Sequence, residues 1–349
     1  MIEKTAGKIM KVPVLAALAF WCAIGSAQAQ SSAGGPVTVT ADNFNRAETD
    51  IYFAQFVKRG ELGKFVHLRD LPVEGPGVRA NRDTLYSEAV FDLDAGPVKI
   101  TLPKAGKRFM TITAINENHY VFEVSYGPGN YTYNRAEVGT RYLFVALRIL
   151  ANPTDAQDMK QAQALQDAVV VKQKSPGRFE MTNWDPVSHK KVRDLLLALS
   201  TTLPDMQRAF GSKTQVDPVR HLIGTAAAWG GNPDKDIVYQ NVRPAKNDGA
   251  AIYKVTVPAK VPVDAFWSVT VYDATGRFQK NAYNAYSLNS ITAKRNNDGS
   301  VPIQFGGCDG TISNCLPTVK DWNYMVRLYR PRDEALSGKW KFPVAELAN

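Results

Sequence analysis

The chain has 349 residues, a formal net charge of +9 and three cysteines. Its densest basic cluster, Arg327, Arg330 and Arg332, is followed at once by Asp333 and Glu334. Nucleic-acid binding relies on Lys and Arg clustered on one surface, so this dispersed charge argues against a nucleic-acid partner. The length favours two domains with substantial cores.

The first 29 residues have the pattern of a cleavable export signal. Three lysines lie within the first eleven positions, and residues 12–24 are apolar but shorter than the ~20 residues that span a bilayer. Residues 27–29, Ala-Gln-Ala, form a small-x-small cleavage site. We therefore expect cleavage after Ala29, a periplasmic or secreted mature protein, and no transmembrane segment after cleavage. The alternative is a retained membrane anchor.

The first half of the mature chain begins with a helix and continues with strands. Residues 30–40 are rich in Ser and Gly, which predicts a flexible segment. Apolar residues at spacings of three and four predict a helix over 41–59 that ends at Gly60. The apolar period then changes to two, after a predicted loop at 61–80. This period predicts strands at 85–91, 98–102, 109–115 and 141–150.

The second half begins with helices and returns to strands. Asp185-Pro186 and Asp217-Pro218 predict two helix starts, because Asp accepts hydrogen bonds from free amides and Pro suits the first helical position. Strand patterns resume at 252–257, 266–272 and 322–330. Asn-Asp-Gly at 247–249 and again at 297–299 predicts hairpin turns, since Gly accepts a positive φ.

Together these patterns predict an α+β fold that is mostly β, with two antiparallel β-sandwich-like domains joined by a helical segment. Exposed sheet edges need covering, which makes a homo-oligomer plausible. The expected organisation is a signal peptide at 1–29, a flexible segment at 30–40, an N-terminal helix plus β domain at 41–150, a helical connector at 151–236 and a C-terminal β domain at 237–349.

Two cysteines, Cys308 and Cys315, remain in the mature chain and flank a loop rich in Gly and Asn. In an oxidising compartment they predict a disulfide, which chain-entropy reasoning values at ~2–3 kcal/mol for so short a loop. A metal site would need further Cys or His at ligand spacing, so no metal is expected. The motifs of common hydrolases, metalloproteases, kinases and dehydrogenases are missing, and no cofactor is expected.

The sharpest polar cluster is the 81–87 segment, Asn-Arg-Asp-Thr-Leu-Tyr-Ser, where a predicted loop enters a strand. Such a strand end presents carboxylate, hydroxyl and amide groups to a ligand. The alternative is that these groups satisfy the loop backbone and pack in the core. The candidate ligand-binding residues here are Asn81, Asp83, Thr84, Tyr86 and Ser87.

Further candidates lie beside other predicted strands. His119 could shuttle a proton near Asp83 or Glu117, although a lone loop His is more often a solvated or hydrogen-bonded group, and Asn116 precedes it. Arg327 could bind a carboxylate in bidentate fashion or pair with a structural carboxylate such as Asp273. The remaining ligand-binding candidates are Tyr272 and Asp273. Asp83 and His119 are the two weak catalytic candidates.

The 81–87 segment also carries a resemblance. Its residues other than Arg82 match Asn-x-Asp-Thr-Leu-Tyr-Ser, and the chain resembles exported bacterial proteins with domain of unknown function 1254 followed by domain of unknown function 1214. Residues 266–273 and 322–343 carry the second half of the resemblance. Arg82 departs from the Pro that is frequent in the family. The resemblance implies two β-sandwich-like domains joined by helices and no established activity.

Three functional hypotheses follow. The first is an exported protein that binds an unknown small molecule or glycan-type ligand between the two β domains, in a pocket lined by Asn81, Asp83, Thr84, Tyr86 and His119, with enzymatic activity left open. The second is a structural or assembly protein of the cell envelope without a catalytic site. The third is a hydrolase that uses an Asp/His pair.

Overall fold

The structure, a computed structural model, describes residues 35–71, 73–74 and 79–348. The predicted signal peptide, its cleavage site and residues 30–34 of the predicted flexible segment lie outside this range. Within it, no helix is both long enough and apolar enough to cross a bilayer.

The described residues form short helices and many strands. The helices are α1 Phe44–Lys58, α2 Arg135–Val138, α3 Ala156–Asp167, α4 Pro186–Ser200, α5 Pro218–Ala227 and α6 Asp333–Leu336. The strands of the first half are β1 Val66–His67, β2 Thr84–Asp92, β3 Val98–Leu102, β4 Met110–Asn116, β5 Val121–Tyr126, β6 Gly129–Tyr133, β7 Tyr142–Leu150 and β8 Val170–Lys172. Those of the second half are β9 Ile237–Val242, β10 Tyr253–Val257, β11 Trp267–Tyr272, β12 Ser287–Asn289, β13 Val301–Phe305, β14 Cys315–Leu316, β15 Asn323–Tyr329 and β16 Glu346–Leu347.

The first β unit is a sandwich of a five-stranded and a three-stranded sheet. The strand orders are β1-β2-β7-β4-β5 and β6-β3-β8, and all neighbours are antiparallel. Alternate residues of β2, β7 and β3 point between the sheets, because side chains alternate along a strand. Their core includes Leu85, Phe91, Leu147 and Ile100.

The other face of the five-stranded sheet is covered by helices. Phe53 and Phe56 of α1 pack against Phe144 of β7 and against Trp229, which follows α5. Every residue of β7 is therefore buried, as expected for a strand covered on both faces. The segment predicted as a connector thus adds a third layer to the first unit, and it also contains β8, the edge strand of the three-stranded sheet.

The second β unit is a sandwich of two four-stranded sheets, ordered β12-β11-β15-β9 and β14-β13-β10-β16. The β13–β14 pair is parallel and the other pairs are antiparallel. Its core includes Trp322, Tyr324, Phe305 and Trp267. The prediction of a mostly β, α+β fold with antiparallel sheets is confirmed.

Two local predictions are also confirmed. Cys308 and Cys315 form a disulfide, with their Cα atoms 5.7 Å apart. Asp185 caps α4 by accepting from the amides of Val187 and Ser188, and Asp217 caps α5 in the same way.

Two other local predictions differ from the structure. The Asn-Asp-Gly turns at 247–249 and 297–299 do not close β-hairpins, because the strands on either side of each turn belong to different sheets. The described end of the predicted flexible segment is held in place: the Val37 amide donates to the Asn183 carbonyl at 2.7 Å, and the Val39 amide donates to Ser188 Oγ at 2.9 Å. These long-range partners are not visible in local composition.

Candidate functional site

The 81–87 segment begins with a compact set of hydrogen bonds. Asn81 Nδ2 donates to Thr84 Oγ1 at 3.2 Å and to the Tyr86 hydroxyl at 3.1 Å, while Asn81 Oδ1 accepts from the Asp83 amide at 2.8 Å. The segment thereby enters β2 as a fixed turn. Four predicted site residues do come together here, but they bind one another.

Asp83 joins the two β units. Its side chain is fully buried, and its Oδ2 accepts from the hydroxyl of Tyr329 on β15 at 2.9 Å. Tyr329 stacks on Phe266 with ring centroids 4.0 Å apart. Burial, followed by the nearby Asp83 carboxylate, raises the pKa of Tyr329 well above its ordinary value, so this hydroxyl keeps its proton and remains a donor.

Arg327 lies beside this contact and is also buried. It donates to Thr270 Oγ1 at 3.0 Å, to the Tyr272 hydroxyl at 2.8 Å and to the Arg79 carbonyl at 2.8 Å. Burial opposes its charge, but Tyr272, Tyr329 and Asp83 outweigh burial and raise the pKa of Arg327. The expected alternative partner, Asp273, is not among these contacts.

Arg148 of β7 is the corresponding buried cation of the first unit. It donates to the Tyr86 hydroxyl at 3.2 Å, to Thr113 Oγ1 at 3.1 Å, to Asn232 Oδ1 at 2.9 Å and to the Gly230 carbonyl at 3.1 Å. Sequence reasoning missed this residue, because a single Arg inside an apolar strand pattern gives no sign of its partners.

His119 is fully buried, far from the exposed loop position that was expected. Its Nε2 accepts from the Gly230 amide at 2.8 Å, and its Nδ1 lies 2.8 Å from Thr225 Oγ1. Thr225 Oγ1 donates to the His221 carbonyl, so Nδ1 carries the proton that it shares with Thr225. Burial and the neighbouring His221 hold the pKa of His119 well below its ordinary value. The ring is neutral and both of its nitrogens are occupied.

The other predicted residues have local partners. Asn116 Oδ1 accepts from the Asn118 and Tyr120 amides and shapes the turn between β4 and β5. Ser87 Oγ bonds His67 Nδ1 at 2.8 Å and accepts from Gln166 Nε2 at 3.1 Å. The polar residues of the predicted pocket therefore have hydrogen-bond partners within the described part of the chain.

A cavity of about 120 Å³ lies instead on the second β unit. Its walls come from the end of β11, from the loop between β11 and β12, and from residues 317–319 after β14. Two predicted residues, Tyr272 and Asp273, line it. The polar and aromatic lining that sequence reasoning did not include is Gln279, Lys280, Asn281 and Tyr286.

Asp273 organises one wall of this cavity. Its Oδ1 accepts from the Thr275 amide and hydroxyl and from the Arg277 amide, at 2.7–2.9 Å. Its Oδ2 accepts from Gln279 Nε2 at 2.6 Å. Burial opposes ionisation, but these hydrogen bonds prevail and lower the pKa of Asp273. Asp273 therefore holds the loop in place. Gln279 takes part in this contact through Nε2 and not through its side-chain oxygen Oε1.

Two arginines from the loop before β2 lie against the tyrosine rings of the cavity. The Arg82 guanidinium carbon is 4.8 Å from the Tyr286 ring centroid and 6.0 Å from that of Phe278. The Arg79 guanidinium carbon is 5.7 Å from the Tyr272 centroid. In each arginine, Nη1 is buried and has no hydrogen-bond partner among the described residues.

A second cavity, of about 360 Å³, lies on the first β unit. Arg46, Arg135, Arg141, Glu117 and Glu180 line it. Arg46 binds Glu117, and Arg141 binds Glu180 and the neighbouring Asp92. These pairs already satisfy one another, so the cavity favours neither an anion nor a cation. Among the described residues, no group of three or more His, Cys, Asp or Glu is arranged to hold a metal.

Comparison with protein families identifies two domains. Residues 62–135 match the family described as protein of unknown function DUF1254, and residues 239–333 match protein of unknown function DUF1214. The chain therefore contains a DUF1254 match followed by a DUF1214 match. The DUF1254 match contains the 81–87 segment and His119, and the DUF1214 match contains every residue that lines the 120 Å³ cavity.

Two crystal structures resemble this protein. The VPA0106 protein from Vibrio parahaemolyticus is 18% identical with a TM-score of 0.68, over 88% of this chain and 98% of that one. A putative uncharacterized protein from Burkholderia cenocepacia is 12% identical with a TM-score of 0.52, over 88% of each chain. At these identities the likeness concerns the fold. A comparison with curated proteins found no match.

Proposed function

We propose that this protein binds a small polar molecule, or the end unit of a glycan, in the cavity between Tyr272 and Tyr286. The observation that carries the proposal is the combination of a cavity with two tyrosine walls and with Gln279 and Lys280 on its rim. Aromatic walls with a few oriented polar groups are typical of small-molecule sites. We name this site the Tyr272–Tyr286 cavity.

The size of the cavity limits the ligand. Liquid water occupies roughly 30 Å³ per molecule, so the 120 Å³ cavity holds the equivalent of about four waters. This space suits a small molecule or one end group of a larger ligand. Tyr272 and Tyr286 are both largely buried, so the ligand contacts their ring edges rather than full ring faces.

In this proposal the 81–87 segment is the scaffold that fixes the two β units around the site. Asp83 binds Tyr329, and the Tyr272 hydroxyl donates to the Ala80 carbonyl at 2.7 Å. These contacts also favour part of the hypothesis of a structural or assembly protein, because they show polar clusters that hold loops in place. It gives no support to a hydrolase based on Asp83 and His119, because each is fully buried and bonded to its own set of partners.

A cavity-filling variant tests the proposal. A metabolite and monosaccharide screen by thermal shift should yield ligands that raise the Tm of the wild-type protein, by an amount that grows with ligand concentration over Kd. Ala285 lines the cavity, so Ala285→Phe should abolish the ligand-induced shift. Ala198→Phe, at an exposed position on α4, is the matched control and should retain it. Equal shifts in both variants would contradict the proposed site.

Action outside the cytoplasm is part of the same proposal. It is supported by the export-signal pattern of residues 1–29 and by the Cys308–Cys315 disulfide, which suits an oxidising compartment. Intact-mass analysis of the exported protein should give a chain that begins at Gln30. A mature protein that retains residues 1–29 would contradict it.

A further inference from the structure

The two arginines behind the cavity walls lack the counter-charge that buried arginines normally have. Arg82 is 6% exposed, and among the described residues it has ring contacts but no ion pair. Arg79 is only half-buried, and its guanidinium lies against the ring of Tyr272. A buried charge is costly unless it is paired and hydrogen-bonded, so each guanidinium is left with an unmet demand for negative charge.

The surrounding charges do not remove this demand. Asp273 is the carboxylate that lines the cavity, and its oxygens are taken by its own loop and by Gln279. Glu74 pairs with Lys280 at the surface. Asp83 binds Tyr329 beside Arg327. Burial lowers the pKa of both Arg79 and Arg82, which is the response of a cation without a sufficient partner.

From this arrangement, and resting on the proposed function, we infer that the ligand of the Tyr272–Tyr286 cavity carries a carboxylate. Lys280 also lines the cavity, although it pairs with Glu74 at the surface, and Arg79 and Arg82 hold the walls at a positive potential. Charges near a protein site act through an effective dielectric of roughly 20 rather than 80. A carboxylate therefore gains from guanidinium groups that it does not touch.

Arg82 is the residue that sets this preference. The ring of Tyr286 lies next to the Arg82 guanidinium and also lines the cavity. One aromatic ring therefore separates the guanidinium from a bound ligand. Two kinds of ligand would supply the carboxylate: a free short-chain carboxylic acid and the uronic acid end of a glycan.

Titration calorimetry with matched probes tests the inference. D-galacturonate and D-galactose differ by a carboxylate at one carbon, and acetate represents the free acids. Galacturonate or acetate should bind the wild-type protein, with an affinity that falls as salt rises. Galactose should bind about tenfold more weakly than galacturonate. Binding of acetate alone identifies the free acids as the source, and binding of galacturonate alone identifies the uronic acid.

Variants of Arg82 separate charge from packing. Arg82→Met should weaken binding of the acid about tenfold and leave galactose unchanged, whereas Arg82→Lys should retain most of the affinity. Arg178→Met, at an exposed position, should have no effect. If galactose or another neutral ligand binds the cavity and neither acid does, the carboxylate inference is overturned and the proposed function stands. If Ala285→Phe fails to block any ligand, the proposed function itself is wrong.

A ligand-free measurement gives a second test. Replacing an uncompensated buried charge by an apolar side chain of similar length is often neutral or stabilising. The Tm of Arg82→Met should therefore equal or exceed that of the wild-type protein. In a protein of this size, a fall in Tm of more than about 2 °C corresponds to a measurable loss of stability. Such a fall in Arg82→Met would show that the guanidinium is already satisfied by its surroundings and would overturn the inference.

Discussion

The Tyr329 hydroxyl donates a 2.9 Å hydrogen bond to Asp83 Oδ2, and this contact joins strands that lie 246 positions apart in the chain. Both side chains are fully buried. Arg327 lies close enough to Asp83 for their charges to interact. The 81–87 segment of the first β unit is therefore anchored to the second β unit through Asp83.

Asp83→Asn should destabilise the protein without any ligand present. The amide leaves Arg327 without its nearby negative charge and weakens acceptance from Tyr329, so we expect a loss of about 1–3 kcal/mol in the free energy of unfolding. Chemical denaturation measures it. Tyr329→Phe and the double variant should show coupling, because the two side chains share one hydrogen bond.

Asp167→Asn is the matched control for that experiment. Asp167 is 63% exposed and pairs with Arg69 at the surface, where an ion pair contributes roughly 0–1 kcal/mol. If Asp83→Asn lowers the free energy of unfolding no more than Asp167→Asn does, the Asp83–Tyr329 contact does not hold the two β units together.

His119 should make the protein sensitive to acid. Its folded pKa lies well below the ordinary 6.5, because of burial and then His221. The folded state therefore resists a proton that the unfolded state accepts. Its stabilising contribution is complete above pH 6.5 and is lost as the pH falls from there towards the folded pKa. Thermal unfolding between about pH 7.5 and about pH 5.5, one unit either side of that reference, should show a declining Tm.

His119→Gln should reduce the slope of that decline and lower stability at neutral pH by about 1–3 kcal/mol, because Gly230 and Thr225 lose their bonded partner. Some slope should remain, since the pKa of His221 is also lowered, chiefly by burial. Parallel curves of Tm against pH for the variant and the wild-type protein would mean that protonation of His119 does not cause the decline.

Glu61 should act in the opposite direction. Burial and then the neighbouring Glu88 raise its pKa from 4.5 to about 7, despite Arg59. Its stabilising contribution is complete below pH 4.5 and is lost as the pH rises through about 7. Glu61→Gln should therefore become more stable relative to the wild-type protein as the pH rises from 5 to 8, a range spanning roughly that window. The exposed Glu180→Gln should show a smaller change with pH, and an equal change would contradict this account.

The disulfide should stabilise one loop rather than the whole second unit. Replacing Cys308 and Cys315 together by Ser should cost about 2–3 kcal/mol, since the closed loop is short. The β fold should persist, because large core residues such as Trp322 and Tyr324 lie outside the loop. Denaturation monitored by Trp fluorescence and circular dichroism distinguishes this outcome from global unfolding, which would show that the loop is essential to the fold.

Parts of the site were visible in the sequence and parts were not. Tyr272 and Asp273 were singled out and do line the cavity. Gln279, Lys280 and Asn281 were not, because they lie in a loop without periodicity. Arg82 was noted for its departure from related sequences, but its burial against Tyr286 depends on how the two β units pack.

Local features of the chain determined seven of the strands, the starts of two helices and the disulfide. Asp185-Pro186 caps a helix through amides two and three positions away, and the two cysteines are separated by seven positions. The alternation of apolar residues that predicted β3 extends over only five residues. Each of these depends on near neighbours, so a single sequence contains the relevant information.

Tertiary structure alone decided which polar residues are scaffold and which surround a cavity. His119 looked like an exposed loop residue until Thr225 and Gly230 were seen to occupy its two nitrogens. Asp83 had no visible partner until β15 placed Tyr329 against it. The free energy of a buried polar group depends on what meets it in space, and those partners lie more than a hundred positions away in the chain, beyond the reach of any local pattern.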